Sequence, residues 1–369
     1  MKKIFILMLL LQFAFAQKVE AIRGVWLTNV DSQVLDSKEN IVEAVKLCSD
    51  LKINTICVVT WNKAMTSFPS KVAKSVTGYL IDPRWDGRDP LKELIEEAHK
   101  HNIKVIAWFE FGFSSSYNEN GGIILKNKPD WAAKDSQGKL VKKNNFEWMN
   151  GFHPEVQQFL LDLIMEVVKN YDIDGIQGDD RLPAMPSTAG YDKYTVDLYK
   201  KTHKGKNPPK NYKDNEWIQW RCDILNNFMK RIYTEVKKYN PKVLVTMAPS
   251  IYPWAKEEYL QDWPTWVKNG WVDFISPQLY RDNIQAYQMV LKEIVQEQID
   301  DENLNKFFPG LLIKVGNKYP SDDLVREMIE FNRKMGVNGE VFFFYEGLKK
   351  FKNTLLDIYK NDIVEFPSK

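Results

Sequence analysis

Apolar runs alternate with amphipathic segments along most of this 369-residue chain. The apolar runs are nearly unbroken, which is the pattern of parallel strands that are covered on both faces. They predict eight strands: Ala21–Asn29, Thr55–Trp61, Lys104–Phe111, Gly175–Asp179, Val243–Ala248, Phe274–Tyr280, Phe308–Val315 and Glu340–Tyr345.

An amphipathic helix is predicted after each strand. Apolar residues recur at helical spacing, and Ser37 and the pair Asp89 and Pro90 supply helix-start signals. The predicted helices are Ser37–Leu51, Leu91–His101, Pro154–Tyr171, Glu216–Tyr239, Trp263–Asn269, Ile284–Gln298, Ser321–Gly336 and Leu348–Tyr359. Eight strand-helix units predict an α/β protein with a single (β/α)8 TIM barrel.

The connections also favour a barrel over an open doubly wound sheet. The segment 29–32 after the first strand lacks the glycine-rich phosphate loop that the open fold usually carries. Long loops follow the second, third and fourth strands, over Asn62–Arg88, Gly112–His153 and Arg181–Asn215. Barrels carry their functional sites at this end of the strands. Neither an internal repeat nor a low-complexity linker indicates a second domain.

The first sixteen residues have the pattern of a secretory leader. Lys2 and Lys3 precede the apolar run Ile4–Phe13, and Ala14 and Ala16 give the small-residue cleavage pattern. The alternative, a membrane anchor, needs about 20 apolar residues, which is more than this run provides. We therefore expect a signal peptide over 1–16, a barrel domain over 17–369, and an exported protein, periplasmic or secreted, with no membrane span after cleavage.

Composition narrows the class of partner. The chain has 51 Lys and Arg against 49 Asp and Glu, and removal of the two leader lysines balances these charges. A neutral protein gives no electrostatic reason to expect nucleic-acid binding. The three cysteines are too far apart to indicate a disulfide framework or a zinc site. Twelve tryptophans and sixteen tyrosines favour a carbohydrate substrate, because sugar rings stack on aromatic faces.

An acidic pair, Asp179 and Asp180, directly follows the fourth predicted strand. Desolvation and like-charge repulsion there push the pKa values of two carboxyl groups apart, which lets them divide acid and base roles. Strand alternation places Asp179 and Gln177 on one face. Asp179 is therefore predicted to be the nucleophile or charge stabiliser, with Gln177 orienting it. In the alternative interpretation, Asp180 only caps the next segment or pairs with Arg181.

Glycosidase chemistry needs a second carboxyl group across the sugar ring. Glu110 ends the third strand, Glu346 follows the eighth, and Asp282 lies just beyond the sixth. Each is alternatively a buried ion-pair partner, for example of Arg23 or Arg281. The predicted catalytic residues are Asp179, Asp180, Glu110 and Glu346.

Polar and aromatic side chains at the other strand ends are candidates for substrate binding. Amides and hydroxyls hydrogen-bond sugars, and indole rings stack on them. The predicted binding residues are Asn29, Trp61, Asn62, Trp108, Trp148, Gln278, Tyr280, Arg281 and Asp282. Trp131 and Trp148 lie in the long third loop, where they either wall a groove or form the loop's own small core.

Other catalytic chemistries lack their signatures. Four histidines form no HExxH motif, and the sequence contains neither a GxSxG elbow nor a phosphate-binding P-loop. The sequence therefore predicts carboxylate chemistry with no metal and no cofactor.

Several motifs together resemble the glycosyl-hydrolase-like 10 family of exported bacterial barrel proteins. They are Arg23–Trp26, Ile106–Phe109, Lys128–Trp131, Trp148–Asn150, His153–Val156, Asp174–Ile176, Asp179–Asp180 and Ser276–Tyr280. The resemblance implies a TIM barrel and, for at least one relative, cleavage of peptide-stripped peptidoglycan glycan strands. It extends to α-amylase-like barrels, whose nucleophilic Asp stands where Asp179 does. Arg181 departs from the aromatic residue usual in the family, and Glu110 stands near where many members carry Asn.

Two hypotheses follow from the sequence. The first is a glycoside hydrolase acting on an extracytoplasmic polysaccharide or oligosaccharide. The second is a barrel that binds glycans without cleaving them. A carbohydrate esterase or lyase is disfavoured, because neither a Ser-His pair nor a metal-ligand set is visible.

Overall fold

Eight parallel strands form one curled sheet in the computed structural model, which describes residues 17–367. The strands are β1 Ile22–Leu27, β2 Thr55–Val59, β3 Lys104–Trp108, β4 Gly175–Asp179, β5 Leu244–Ala248, β6 Phe274–Ile275, β7 Gly310–Leu312 and β8 Gly339–Phe343. Their order around the sheet is β6-β5-β4-β3-β2-β1-β8-β7. Parallel bridges from Ile275 to Phe307 and from Gln278 to Gly310 join the two remaining edges. The predicted TIM-barrel fold is confirmed.

Helices surround the sheet. The α-helices are Lys38–Asp50, Lys71–Thr77, Pro90–Lys100, Gly122–Asn127, Pro154–Asn170, Lys193–Thr202, Asn215–Tyr239, Trp254–Tyr259, Trp263–Lys268, Ile284–Glu293, Asp322–Lys334 and Lys352–Tyr359. Each predicted helix is present within a few residues of its expected bounds. The one predicted over Ile284–Gln298 changes at Ile294 from an α-helix to a π-helical turn. Among the described residues, no helix combines the length and apolarity that a membrane crossing requires.

The sixth strand is much shorter than predicted. The sequence pattern suggests Phe274–Tyr280, but regular pairing is confined to Phe274–Ile275. Pro277 explains the break, because proline has no backbone N–H to donate to the ladder. Beyond it, the Gln278 N–H donates to the carbonyl of Pro249 over 2.9 Å. The polar end of the predicted strand is thus a loop at the mouth of the barrel.

The long loops contain small elements that the hydrophobic pattern did not predict. Ser114–Tyr117, Lys142–Lys143 and Phe146–Trp148 form an antiparallel sheet, and Trp61–Asn62 pairs with Met65–Thr66 in a hairpin. Strands of two to four residues are too short to show a period. Both elements lie at the carboxyl ends of β2 and β3, where they help to build the site.

The opposite end of the barrel is closed by the two ends of the described chain. Gln17–Glu20 pairs in parallel with Asp362–Glu365. Arg23 is fully buried, forms an ion pair with Asp362, and lies 3.7 Å from the centroid of the Tyr359 ring. Arg23 therefore stabilises the floor of the barrel and does not pair with a carboxylate at the mouth. The signal peptide predicted over 1–16 lies outside the described residues.

Candidate active site

Asp179 is the last residue of β4, and only 3% of it is exposed. Its Oδ2 accepts a hydrogen bond of 3.1 Å from Nε1 of Trp108, and its backbone oxygen accepts one of 2.8 Å from Nε2 of Gln261. Gly178 lets the chain turn closely here, because a Cβ at this position would come within 2.4 Å of the Leu182 carbonyl oxygen. The carboxylate is therefore held in a fixed position at the mouth of the barrel.

Arg181 joins three carboxyl groups at this position. Its guanidinium nitrogens lie 3.4 Å from Oδ2 of Asp179, 3.1 Å from Oδ1 of Asp180 and 3.5 Å from Oε1 of Glu110. Its Nε also donates to the backbone oxygen of Glu110 over 2.9 Å, and its Cζ lies 4.6 Å from the ring centroid of Phe146. One cation thus holds together acidic residues that come from the ends of two neighbouring strands.

The three carboxyl groups do not share one environment. Burial raises the pKa of Asp179 well above its usual range; Arg181 opposes this, while Asp180 and Glu110 raise that pKa further. Burial also raises the pKa of Glu110, again against the effect of Arg181. Oδ1 of Asp179 is buried without a hydrogen-bond partner among the described residues. These conditions favour retention of a proton within the cluster near neutral pH.

Asp179 and Glu110 lie no farther apart than glycoside chemistry allows. Oδ2 of Asp179 and Oε1 of Glu110 both contact one nitrogen of Arg181, which limits their separation to about 7 Å, compatible with the roughly 5–10 Å that two-carboxylate glycosidases use. Nδ2 of Asn62 donates to Oε2 of Glu110 over 2.9 Å and fixes that side chain. Glu110 is therefore placed as a partner for Asp179.

The cluster opens into two adjoining cavities. The first, called here the acidic recess, has a volume of about 140 Å³ and is lined by Trp26, Trp108, Glu110, Asp179, Asp180, Arg181, Ala248, Gln278, Tyr280 and Phe343. The second, called here the aromatic groove, has a volume of about 380 Å³ and is lined mainly by apolar and aromatic side chains. Glu110 and Phe343 line both cavities, so the two adjoin each other.

Several predicted binding residues lie together at these cavities. Trp108, Gln278 and Tyr280 line the acidic recess, and Asn62 lines the aromatic groove. Oδ1 of Asn29 accepts a hydrogen bond of 2.9 Å from Nδ2 of Asn62. The same nitrogen also donates to the Glu110 carboxylate, so the Asn62 amide links Asn29 to Glu110.

The structure corrects the stacking role predicted for two tryptophans. Trp61 is fully buried, packs edge-on against Phe159, and donates from Nε1 to the Gly112 carbonyl over 3.2 Å. Trp148 is 1% exposed and packs against Tyr259. Neither indole presents an open face to a sugar, because both belong to the core beneath the long loops.

Other predicted residues stand apart from the two cavities. The carboxylate of Glu346 accepts a hydrogen bond of 2.8 Å from Oγ of Ser32. Arg281 donates to the Tyr280 backbone oxygen over 2.7 Å, and the exposed Asp282 accepts from Asn283 over 2.9 Å. None of Glu346, Arg281 and Asp282 lines the acidic recess or the aromatic groove. Each of these three side chains instead forms a hydrogen bond with a residue of its own or a neighbouring loop.

The orienting role predicted for Gln177 falls to other residues. Its Oε1 accepts a hydrogen bond of 2.7 Å from Nε1 of Trp26, so this amide positions a wall of the recess. Trp108 and Gln261 hold Asp179 instead. Gln261 was not predicted, because it lies far along the chain in the loop after β5 and has no distinctive local pattern.

The sequence suggests Arg181 only as a partner of Asp180, whereas in the structure it contacts three acidic residues. The excess of carboxylates predicted around Asp179 was a signal that a cation must lie among them. Trp26 and Phe343, which line the recess, were also not predicted as site residues.

Among the described residues, no group of three or more His, Cys, Asp or Glu side chains is arranged to hold a metal ion.

Two solved structures have a fold similar to that of this chain. The PgaB (BpsB) glycoside hydrolase domain from Bordetella bronchiseptica is similar with a TM-score of 0.68 at 13% sequence identity, over 95% of this chain and 100% of that one. Alpha-L-fucosidase isoenzyme 2 from Paenibacillus thiaminolyticus is similar with a TM-score of 0.66 at 17% sequence identity, over 93% of this chain and 50% of that one. At these identities the similarity establishes the fold alone, which is a TIM barrel.

The chain belongs to the Glycosyl hydrolase-like 10 family, which it matches over residues 21–318. It is 25% identical over 405 residues to Glycosyl hydrolase YngK of Bacillus subtilis (strain 168), covering 96% of this chain and 74% of the relative. It is 23% identical over 309 residues to Glycosyl hydrolase DigH of Escherichia coli (strain K12), covering 72% of this chain and 66% of that relative.

Proposed function

We propose that this protein hydrolyses O-glycosidic bonds in an extracytoplasmic polysaccharide or oligosaccharide. The observation that carries the proposal is the cluster of Glu110, Asp179 and Asp180 around Arg181, in a recess walled by aromatic rings. Hydrolysis through an oxocarbenium-like transition state needs two carboxyl groups in different protonation states, about 5–10 Å apart. Membership of a glycosyl-hydrolase-like family supports this chemistry.

Asp179 is the principal catalytic carboxylate in this proposal. Trp108 and Arg181 present hydrogen-bond donors to its Oδ2, which favours negative charge on that oxygen. The neighbouring Asp180 carboxylate raises the pKa of Asp179, so this group can also take up a proton near neutral pH. In its ionised form, Asp179 carries the charge that stabilises the reacting sugar carbon, while Asp180 supports it.

Glu110 is the general acid. It lies where the recess meets the groove, 19% of its side chain is exposed, and its pKa is raised by burial. Burial raises the pKa of both Glu110 and Asp179, so this assignment requires that Asp179 ionise first, with Trp108 and Arg181 donating to its Oδ2. Glu110 then keeps its proton and can donate it to the leaving oxygen. Asn62 holds the carboxyl in place through its amide.

The experiment is a hydrolysis assay of the purified protein and its variants on a panel of glycans. Peptide-free peptidoglycan glycan strands come first, as the family resemblance suggests, followed by α- and β-linked polysaccharides. Released reducing ends and the products are measured. We expect Asp179→Asn and Glu110→Gln each to lower kcat by about 10²–10⁴-fold. Asp172→Asn is the matched control, because 95% of that side chain is exposed.

Full activity of Asp179→Asn on a substrate that the wild type cleaves would overturn the assignment. The glycan-binding alternative predicts saturable binding with no reducing ends released, even after long incubation. Asp180→Asn separates the two aspartates: we expect a smaller loss than for Asp179→Asn, because Asp180 acts through its neighbour.

Export is part of the proposal and is supported by the leader pattern of Lys2, Lys3 and Ile4–Phe13. Mass spectrometry of the protein recovered from its native host tests it. We expect a mature amino terminus at Gln17 and recovery outside the cytoplasm. An intact Met1 on cytoplasmic protein would contradict export without affecting the proposed chemistry.

A further inference from the structure

The long loop after β4 contains a strongly basic segment over residues 200–213. Its basic residues are Lys200, Lys201, Lys204, Lys206, Lys210 and Lys213, and it contains no Asp or Glu. The whole chain has nearly equal numbers of basic and acidic side chains, so this concentration of positive charge is local. Five of the six lysines are exposed, and Lys200 is half-buried. The segment therefore presents a positive surface at the mouth end of the barrel.

The acidic side chains that flank this segment already have partners. Asp197 forms an ion pair with Lys193 at 2.6 Å, and the Asp214 carboxylate accepts a hydrogen bond of 3.0 Å from the Trp217 N–H. Within the described part of the chain, none of the five lysines before Lys213 forms an ion pair with a carboxylate. Their charges are therefore available to a partner outside the molecule.

The backbone that carries these lysines is held in place by groups beneath it. The Pro209 carbonyl accepts a hydrogen bond of 2.8 Å from the Tyr191 hydroxyl. The Tyr212 carbonyl accepts one of 2.6 Å from Nη2 of Arg221, a fully buried residue. The lysines thus project from an ordered loop. Less conformational entropy is lost when such a surface binds a partner than when a disordered tail does so.

An exposed tryptophan adjoins the basic segment. Nζ of Lys213 and Nζ of Lys143 both contact the Glu258 carboxylate, at 3.3 and 2.6 Å. Nζ of Lys143 lies 5.8 Å from the ring centroid of Trp254, which is 42% exposed. An indole beside several lysines suits the headgroup layer of a lipid bilayer, where the ring is partly buried and ammonium groups meet phosphates. A soluble polyphosphate would use the lysines alone.

We propose that this surface docks the protein on a membrane that carries anionic phospholipids. It consists of the lysines of residues 200–213 together with Lys143 and Trp254, and is called here the basic surface. The lysines contact lipid phosphates, and Trp254 enters the headgroup layer. Docking in this way keeps the mouth of the barrel beside the lipid. The proposal does not rest on the glycosidase chemistry, because none of these residues lines the acidic recess or the aromatic groove.

The test is sedimentation of the protein with lipid vesicles. The protein is expressed from Gln17, where the described fold begins, so that the apolar run Ile4–Phe13 cannot itself insert into lipid. Vesicles of phosphatidylglycerol and phosphatidylcholine in equal parts are compared with vesicles of phosphatidylcholine alone. We expect binding to the anionic vesicles to be at least about tenfold tighter, and to be largely lost in about 0.5 M salt.

A triple variant removes three charges from the basic surface: Lys204→Gln, Lys206→Gln and Lys210→Gln. Each lysine near an anionic membrane strengthens binding about fivefold, so we expect this variant to bind about 100-fold more weakly. The matched control has the same change of net charge at exposed lysines on three other helices, Lys74→Gln, Lys169→Gln and Lys334→Gln. It should bind within about threefold of the wild type, because distant charges are screened.

Trp254→Ala distinguishes a membrane from a soluble polyanion. We expect it to weaken vesicle binding about fivefold and to leave binding of inorganic polyphosphate unchanged. Thermal unfolding of each variant verifies that it is folded. The proposal is overturned if the wild type binds anionic and neutral vesicles equally, or if the triple variant binds as tightly as its control. Binding of polyphosphate without binding of anionic vesicles would also contradict docking on a membrane.

Discussion

Nε1 of Trp108 donates a hydrogen bond of 3.1 Å to Oδ2 of Asp179, joining the last residues of two neighbouring strands of the barrel. Both residues are buried, so water does not compete for this contact. The hydrogen bond fixes the carboxylate against the wall of the acidic recess. It also favours the ionised form of Asp179, because the indole can donate but cannot accept.

Trp108→Phe tests this relationship. Phenylalanine keeps an aromatic wall but removes the donor, so we expect the pKa of Asp179 to rise further. Since Asp179 acts in its ionised form, the acidic limb of the pH profile of kcat/KM moves to higher pH. The maximal kcat falls about tenfold, the effect of losing one hydrogen bond to a charged group. Measured pH profiles that coincide for variant and wild type would show that the indole has no such role.

Arg181 is expected to set the protonation of the whole cluster. Its charge lowers the pKa of both Asp179 and Glu110. In Arg181→Gln this effect is lost, so both pKa values rise and the acidic limb of the pH profile of kcat/KM moves to higher pH. We expect a loss of about 100-fold in kcat at neutral pH.

Arg181→Lys separates charge from geometry. An ammonium keeps the positive charge but cannot contact three carboxylates at once as a guanidinium does. Compared with Arg181→Gln, we expect Arg181→Lys to bring the pH profile most of the way back to that of the wild type, but to recover only part of the wild-type kcat. A merely structural role for Arg181 predicts lower thermal stability in both variants with an unchanged pH profile.

Asp179 is expected to reduce the stability of the fold at neutral pH. Its pKa is raised in the folded protein, mainly by burial, so folding favours the protonated form. The folded state then binds more protons than the unfolded state above the usual carboxyl range, and the free energy of unfolding falls as the pH rises toward the raised pKa. Asp179→Asn removes this cost.

Calorimetry of Asp179→Asn at several pH values measures the effect. We expect a gain of about 0.5–2 kcal/mol in the free energy of unfolding at pH 7. The gain should disappear in acid, below the usual carboxyl range, where wild-type Asp179 is protonated in both folded and unfolded states. A variant that is less stable than wild type at pH 7 would contradict a destabilising desolvation of the carboxylate at this position.

Trp61 is expected to matter for stability and not for substrate binding. Its ring is fully buried and its Nε1 is bonded to the Gly112 carbonyl. Trp61→Phe should lower the free energy of unfolding by about 1–3 kcal/mol and leave KM unchanged. Trp254→Phe, at a residue 42% exposed, is the control and should cost much less. A large change in KM for Trp61→Phe would restore the stacking role that the sequence suggested.

The barrel was predictable because it depends on local patterns. Unbroken apolar runs require strands covered on both faces, and each run is followed by a helix whose period is visible in the sequence. The end of β6 was less predictable, since one residue, Pro277, stops the ladder within an apolar run. The small antiparallel sheet in the third loop was missed because its strands have only two to four residues.

The site was predictable in part. Strand alternation and position at a strand end were enough to select Asp179, Glu110 and Trp108, because parallel strands of one barrel end at the same face. The same rule also selected Glu346 and Asp282, which lie at that face but outside both cavities. Position at a strand end therefore identifies the face of the barrel, and not the direction in which a side chain points.

The sequence by itself determined the barrel, the end that carries the site, and Asp179 as its central acidic residue, because these follow from periodicity and chain order. Only the tertiary structure showed that Glu110 and Asp179 both contact Arg181 and therefore lie close together. It also showed that Trp61 and Trp148 are core residues, and that a groove lined by aromatic rings and two lysines adjoins the recess. The physical reason is that contacts between loops from different strands depend on packing and charge pairing across long stretches of chain, which no local pattern encodes.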